Sequence, residues 1–485
     1  MNEHNKKFRQ SIKWELLNSA YGQVIQFILS IILARLLSPA DFGIVALAYV
    51  VIRIAEIFAD VGFSSALIQE TNISDKAFST VFWINVGMGV FFVALFQLIA
   101  NPIGEFYGEV KVSSIIRVLG VVFLIDALGQ VQSTQLRKNL NFKLINLINA
   151  LAQTFSGIIA IILAFAGWGV WSLVIQTIIA SLVNVVFLWF FGSWRPNFEF
   201  NFNEAKRLFQ FGSYVFFSQL IGRISLRIDT ILVGKFFSPS TLGLYNRADS
   251  LLALIRRYSS TSIIKVAFPY FSKVKDDDIF FINSYNRITG VIYYLGFLIT
   301  GFLSFTGKEL IILVYGQKWM MAGEYFEILC FIIFFLPIST LMHNVLLSKG
   351  LSKFTFHMSL LFFVIRLAFS FLTIILFENI FYFLYSQVII SVLINIVYMF
   401  LISKRTSIKL SYQLNQFVVF VTVFVLSWLI SWVVFFRVNA IESMYKAMFM
   451  GMLFCVLYAI FNLIVNRPTS NDLYNQIKLI LGKNA

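Results

Sequence analysis

Stretches of about twenty mostly apolar residues, the length that carries an α-helix across a bilayer, follow one another along the chain with short polar connections between them. Runs such as IQFILSIILARLL (25–37) and VFFVALFQLIA (90–100) are continuously apolar. A membrane β-barrel alternates apolar and polar residues over about ten positions, so the pattern predicts an all-α polytopic membrane protein. About fourteen such stretches are counted, centred near Phe27, Ile52, Gly89, Val122, Gly157, Ile179, Gln219, Ser262, Gly296, Phe335, Ile365, Ile390, Val425 and Val456. The two longest polar connections are read as Gly192 to Arg207 and Ser272 to Arg287, and neither is large enough to hold a catalytic domain. Function is therefore expected within the helices.

Composition strengthens this reading. Hydrophobic residues make up 59% of the 485 positions and charged residues 13%, against about 25% charged in an ordinary soluble domain. With a mean hydropathy of +0.83 and 56 Phe, 19 Tyr and 9 Trp, there is more apolar surface than a core can hide, and the excess is expected to face lipid. Met1 to Lys13 is polar and basic and leads into no short apolar run with a small-residue cleavage site, so the first long apolar segment is expected to be a retained helix. Cys330 and Cys455 lie in separate apolar segments without His or Cys at ligand spacing and read as packing residues, with no metal or cofactor implied.

The basic residues orient the bundle. Roughly 22 of them, among them Lys6, Lys7, Arg137, Lys138, Arg195, Lys206, Arg207, Lys404 and Arg405, fall on one side, and about eight, including Arg35, Lys111, Lys235 and Lys318, fall on the other. Both termini are thus expected in the cytoplasm, in agreement with an even number of helices, which puts both on one side. The net charge of +15 becomes a topology signal, and nucleic acid is not needed as a partner.

One internal repeat is visible. IILARLLSPADFGI from Ile31 matches ILVGKFFSPSTLGL from Ile231, 200 positions later. Each copy ends a helix, turns at Ser-Pro and is expected to re-enter a helix after Gly43 or Gly243. With an even number of helices between them, the copies share one orientation and imply parallel repeats about an axis along the membrane normal. The expected division is a first lobe of six helices over 1–206 and a second over 207–405, followed by two helices and a cytoplasmic amphipathic tail over 406–485. Within the tail, Asn471 to Leu481 has apolar residues at helical spacing; that stretch, and Asn201 to Phe211, read as interfacial helices. Pro269 and Pro337 lie within predicted helices and are candidate bending points.

Charged residues inside apolar spans are costly and mark cavities or ion pairs. Arg53, Glu56 and Asp60 fall at i, i+3 and i+7 on one face of the second helix, with Arg53 about 16 Å below the expected periplasmic end. Arg223 and Arg227 share a face of the seventh helix; Arg256, Arg257 and Lys265 lie along the eighth. These three helices carry more cations than anions. A surplus of guanidinium groups suits an anionic ligand and binds phosphate oxygens through paired donors. Glu56 and Asp60 are placed as ion-pairing or coupling carboxylates, for a proton or Na⁺, with the membrane potential as another energy source. Glu15, Arg117, Asp126 and Arg366 read as structural charges, and His343 and His357 as packing or hydrogen-bonding residues.

The stretch WELLNSAYGQVIQFILSIILARLLSPADFGIVALAYVVIRIAEIFADVGFSSALIQ, with the later DTILVGKFFSPSTLGLYNRADSL, resembles the Wzx-type flippases of the multidrug/oligosaccharidyl-lipid/polysaccharide exporter superfamily. The resemblance implies a V-shaped transporter whose first, second, seventh and eighth helices line a central cavity. It implies an undecaprenyl-diphosphate-linked oligosaccharide as substrate, carried across the bacterial inner membrane by alternating access, with a polysaccharide polymerase and a chain-length regulator as partners. Two other classes fit less well. A cation-coupled multidrug exporter of the same fold wants anionic cavity residues, and a membrane polymerase or ligase wants a large external loop.

Overall fold

The computed structural model describes residues 21–60, 62–70, 74–259, 261–437 and 443–466. All of the described secondary structure is helical. The helices are α1 (Tyr21–Leu36), α2 (Pro39–Asp60), α3 (Phe63–Gln69), α4 (Asp75–Tyr107), α5 (Val110–Lys138), α6 (Phe142–Phe165), α7 (Val170–Phe191), α8 (Phe202–Phe236), α9 (Pro239–Ser259) and α10 (Thr261–Val274). They continue as α11 (Asp278–Tyr315), α12 (Met320–Leu329), α13 (Ile332–Ser348), α14 (Ser352–Phe377), α15 (Ile380–Arg405), α16 (Leu410–Arg437) and α17 (Ser443–Val465). Each predicted apolar stretch falls on one of them. Among the described residues nine helices are long and apolar enough to cross a bilayer, or ten if the bent pair Gln317–Leu329 and Ile332–Ser348 is one span. The chain is a multi-pass integral membrane protein.

Side chains fix where the helices begin. Ser74 caps α4 by accepting from the Ala77 amide, Asp277 caps α11 from Phe280, and Asn201 and Asn379 do the same for α8 and α15; each supplies an oxygen to amides that have no partner inside the helix. The cap at Asp277 corrects the expected connection from Ser272 to Arg287. Helix α10 runs to Val274 and α11 starts at Asp278, so those polar residues are mostly the water-exposed ends of two long helices. Likewise Asn201 to Phe211 forms no separate helix, because it continues without a break into the rest of α8. The tail from Asn471 to Leu481 lies outside the described residues.

Pro337 sits inside α13, but the 44° bend of this region lies between α12 and α13, at Cys330 and Phe331. There the ladder tightens, with the Phe331 amide donating to Ile328 and that of Ile333 to Cys330, and this shortened turn redirects the axis. Pro269 lies within α10.

The chain divides into two compact units, Met1–Gly243 and Leu244–Ala485. In the first, α4 and α5 pack closely because Gly89 offers no side chain: a Cβ there would lie 2.9 Å from the Leu124 Cα. Small residues at such contacts are the usual way for membrane helices to approach. A stack of Phe92, Phe96 and Phe123 fills the space beside it. In the second unit α11 is the hub, surrounded by α12, α13, α16 and α17. Its core is aromatic, with Tyr293, Phe297, Phe334, Phe420 and Phe454 buried together, which accounts for part of the chain's large phenylalanine content.

The sequence repeat is also a repeat of local structure. Ser38 precedes α2, where its hydroxyl accepts from the Asp41 amide at 3.2 Å. Ser238 precedes α9 and accepts from the Thr241 amide at 3.2 Å. The two turns face each other within the first unit. A Cβ on Gly43 would overlap the Pro239 carbonyl, and one on Gly243 would overlap the Pro39 carbonyl.

Candidate functional site

Arg53 and Glu56 lie on the accessible side of α2. Arg53 Nη1 donates to both carboxylate oxygens of Glu56, at 2.8 and 3.0 Å, with 52% of the Arg53 side chain and 30% of the Glu56 side chain exposed. By helical rise, Arg53 is about 21 Å from the Pro39 end of α2 and about 10 Å from the Asp60 end. Helix α5 packs beside α2 and brings Asp126 into the same field, with Glu56 and Arg53 as its charged neighbours and the Ser181 hydroxyl of α7 within hydrogen-bonding reach. Asp126 is itself exposed and lies about 24 Å from the start and 18 Å from the end of α5, close to its middle. A hydrogen bond between Tyr49 and Thr177 joins α2 to α7 nearby. The patch thus holds one guanidinium and two carboxylates among hydroxyls, on three apolar helices.

In the sequence Asp126 reads as a structural charge, a single acid in the middle of α5, because its neighbours on α2 and α7 are remote along the chain. The other candidates are more scattered. Arg227 is exposed on α8. Arg256 lies 3.7 Å from Asp249, two turns earlier on α9. The side chains of Asp60, Arg223, Arg257 and Lys265 fall outside the described side chains. Arg117 donates to Asn101 at 2.7 Å.

The second unit contains a cavity of about 350 Å³ between α13, α14 and α15, where Ser339, His343, Arg366, Gln387 and Tyr398 stand among apolar residues such as Phe362 and Ile390. Arg366 Nε donates to Gln387 at 3.1 Å and Gln387 to Ser370 at 2.8 Å, while Tyr398 and His343 stand 3.4 Å apart. His357 hydrogen-bonds with the Lys353 carbonyl one turn earlier. Among the described residues, no group of His, Cys, Asp or Glu has metal-binding geometry; Cys330 is buried and Cys455 half-buried.

The structure matches one titled "Lipid II flippase MurJ, inward closed conformation" with a TM-score of 0.72 at 14% identity, over 94% of this chain and 99% of that one. A family model described as "Polysaccharide biosynthesis protein" matches residues 32–324, more than half of the chain, and the chain belongs to that family. Among its curated relatives, the teichuronic acid biosynthesis protein TuaB of Bacillus subtilis (strain 168) is 25% identical over 355 residues, 73% of each chain. The lipopolysaccharide biosynthesis protein WzxC of Escherichia coli (strain K12) is 23% identical over 324 residues, 66% of this chain and 65% of that one.

Proposed function

We propose that the chain is a flippase, a transporter and not an enzyme, that moves an undecaprenyl-diphosphate-linked oligosaccharide from the cytoplasmic to the periplasmic leaflet of the bacterial inner membrane for cell-surface polysaccharide assembly. Family membership supports the class. The observation that carries the mechanism is the cluster of Arg53, Glu56 and Asp126 on apolar helices, with Arg53 and Asp126 exposed and Glu56 half-buried. A charge turned toward hydrocarbon costs several kcal/mol, so such a cluster at this depth calls for a water-filled vestibule. Such a vestibule removes the barrier to a diphosphate and a hydroxyl-rich glycan, whose polar groups would otherwise each cost about 2 kcal/mol or more in lipid.

In this reading the chain crosses the membrane fourteen times with both termini cytoplasmic. Two six-helix lobes form a parallel repeat, and two further helices follow. Arg53, Arg223, Arg227, Arg256, Arg257 and Lys265 hold the diphosphate, and alternating access carries it across. Glu56 and Asp60, with Asp126 beside Glu56, are the carboxylates that respond to a coupling proton or Na⁺, or to the membrane potential. A polymerase and a chain-length regulator receive the product.

One observation favours a second reading. The two carboxylates of the α2–α5 patch outnumber its single guanidinium, which also suits a cation-coupled exporter of small organic cations. Purified protein in proteoliposomes separates the two. Translocation of undecaprenyl-diphosphate-linked glycan, lost in Arg53→Ala and partly regained in Arg53→Lys, supports the flippase. Transport of a fluorescent organic cation with no glycan movement refutes it.

A further inference from the structure

We infer that the segment from the end of α7 to the start of α8 is an aromatic wedge seated in the interfacial layer of the bilayer, with Phe198, Phe200 and Phe202 turned toward lipid. The segment is pinned to α4 by alternate residues. The Asn197 amide donates to Ser79 Oγ at 3.0 Å and the Asn201 amide to Thr80 Oγ1 at 3.0 Å. Trp83 Nε1 returns a bond to the Asn197 carbonyl at 2.9 Å, and Glu199 pairs with Lys76 at 3.3 Å. Residues 197, 199 and 201 are thereby committed to α4. The intervening phenylalanines are left outward, with Phe198 93%, Phe200 59% and Phe202 71% exposed. Phe198 lies flat on Trp83, ring centres 5.1 Å apart and planes 25° apart.

Depth follows from α4 itself. Its 33 residues span about 50 Å at 1.5 Å each, against a hydrocarbon core of about 30 Å, leaving about 10 Å beyond the core at each end. Trp83, eight residues after Asp75, is about 12 Å from that end, at the edge of the hydrocarbon. Ser79 and Thr80 are about 6 and 8 Å from it, in the headgroup layer. The two anchors, Asn197 on Ser79 and Asn201 on Thr80, therefore lie at nearly one level, and the three phenylalanines run along the interface, with Phe198 against the Trp83 ring at the hydrocarbon edge.

Three features select lipid as the occupant. The ridge continues the exposed apolar surface of α7, where Phe190 is 76% exposed. Tryptophans gather here, Trp189 and Trp194 packing around Phe82 beside Trp83, as they do at membrane interfaces. The segment is flanked by charged pairs, Lys76 with Glu199 and Arg207 with Glu70 and Glu204, a rim that needs water or headgroups beside it and not hydrocarbon.

The test uses the full chain with Cys330→Ala and Cys455→Ala, carrying Phe198→Cys, Phe200→Cys, Phe202→Cys or Glu199→Cys, labelled with an environment-sensitive fluorophore in phosphatidylcholine and phosphatidylglycerol vesicles. Quenching by lipids spin-labelled in the headgroup or high on the acyl chain is expected at 198, 200 and 202. Position 199 is expected to answer to aqueous iodide. Iodide quenching of 198, 200 and 202 as strong as at 199, with neither lipid acting, would overturn the inference and leave the ridge as a protein-docking surface. The measurement needs no substrate. A wedge found in the outer leaflet would leave it standing while refuting the cytoplasmic orientation proposed above.

Discussion

Arg53 Nη1 bridges both carboxylate oxygens of Glu56, one turn away on the exposed side of α2, and Asp126 joins them from α5. Truncating the guanidinium leaves two carboxylates facing each other. Arg53→Ala is expected to lower glycan translocation by about tenfold or more, the loss typical when one member of a charge network is removed, with normal membrane insertion. Arg53→Lys keeps the charge but not the two-pronged donor and recovers part of the rate. The effects of Arg53→Ala and Glu56→Gln should be non-additive, because the two share one interaction; proteoliposome transport of the single and double variants measures this.

The same patch should carry the coupling. Proton, Na⁺ and electrical gradients imposed one at a time will identify which accelerates the unaltered protein. That acceleration is expected to vanish in Glu56→Gln with Asp126→Asn while basal translocation persists. Full gradient response in the double variant would remove these carboxylates from coupling.

Gly43→Ala and Gly243→Ala each push a methyl group into a backbone carbonyl, which cannot yield as a flexible side chain would. Each is expected to cost about 1–3 kcal/mol, the usual range for overpacking, read as a lowered melting temperature in nanodiscs. Gly87→Ala is the matched control: nothing lies within 4 Å of its added Cβ, and alanine favours a helix by up to about 1 kcal/mol, so it should be neutral or stabilising.

In the second unit a Cβ on Gly301 would overlap the Phe454 ring. Gly301→Ala should destabilise, and Phe454→Leu should relieve it, so that the double variant is more stable than the sum of the two single losses predicts. Thermal unfolding of the three variants tests the pairing.

Much of this architecture is legible in the chain because lipid imposes a simple rule: about twenty apolar residues in succession read as one helix. Ends are harder. The polar run after Ser272 looks like a loop, yet the cap at Asp277 starts α11 at once, because a helix leaving the membrane needs no apolar side chains. Site chemistry is legible only in part. Arg53 and Glu56 announce themselves by their spacing, whereas Asp126 is a lone acid whose meaning depends on which helices α5 touches. The exposed phenylalanines between α7 and α8 acquire a direction only from the hydrogen bonds that hold residues 197 and 201 to α4.

The Gly43 and Gly243 contacts carry a consequence for how such a chain can diversify. Each turn's glycine is required by the other turn's backbone. A side chain gained at either position would be rejected by the opposite turn, so neither glycine can change unless the carbonyl that faces it moves as well.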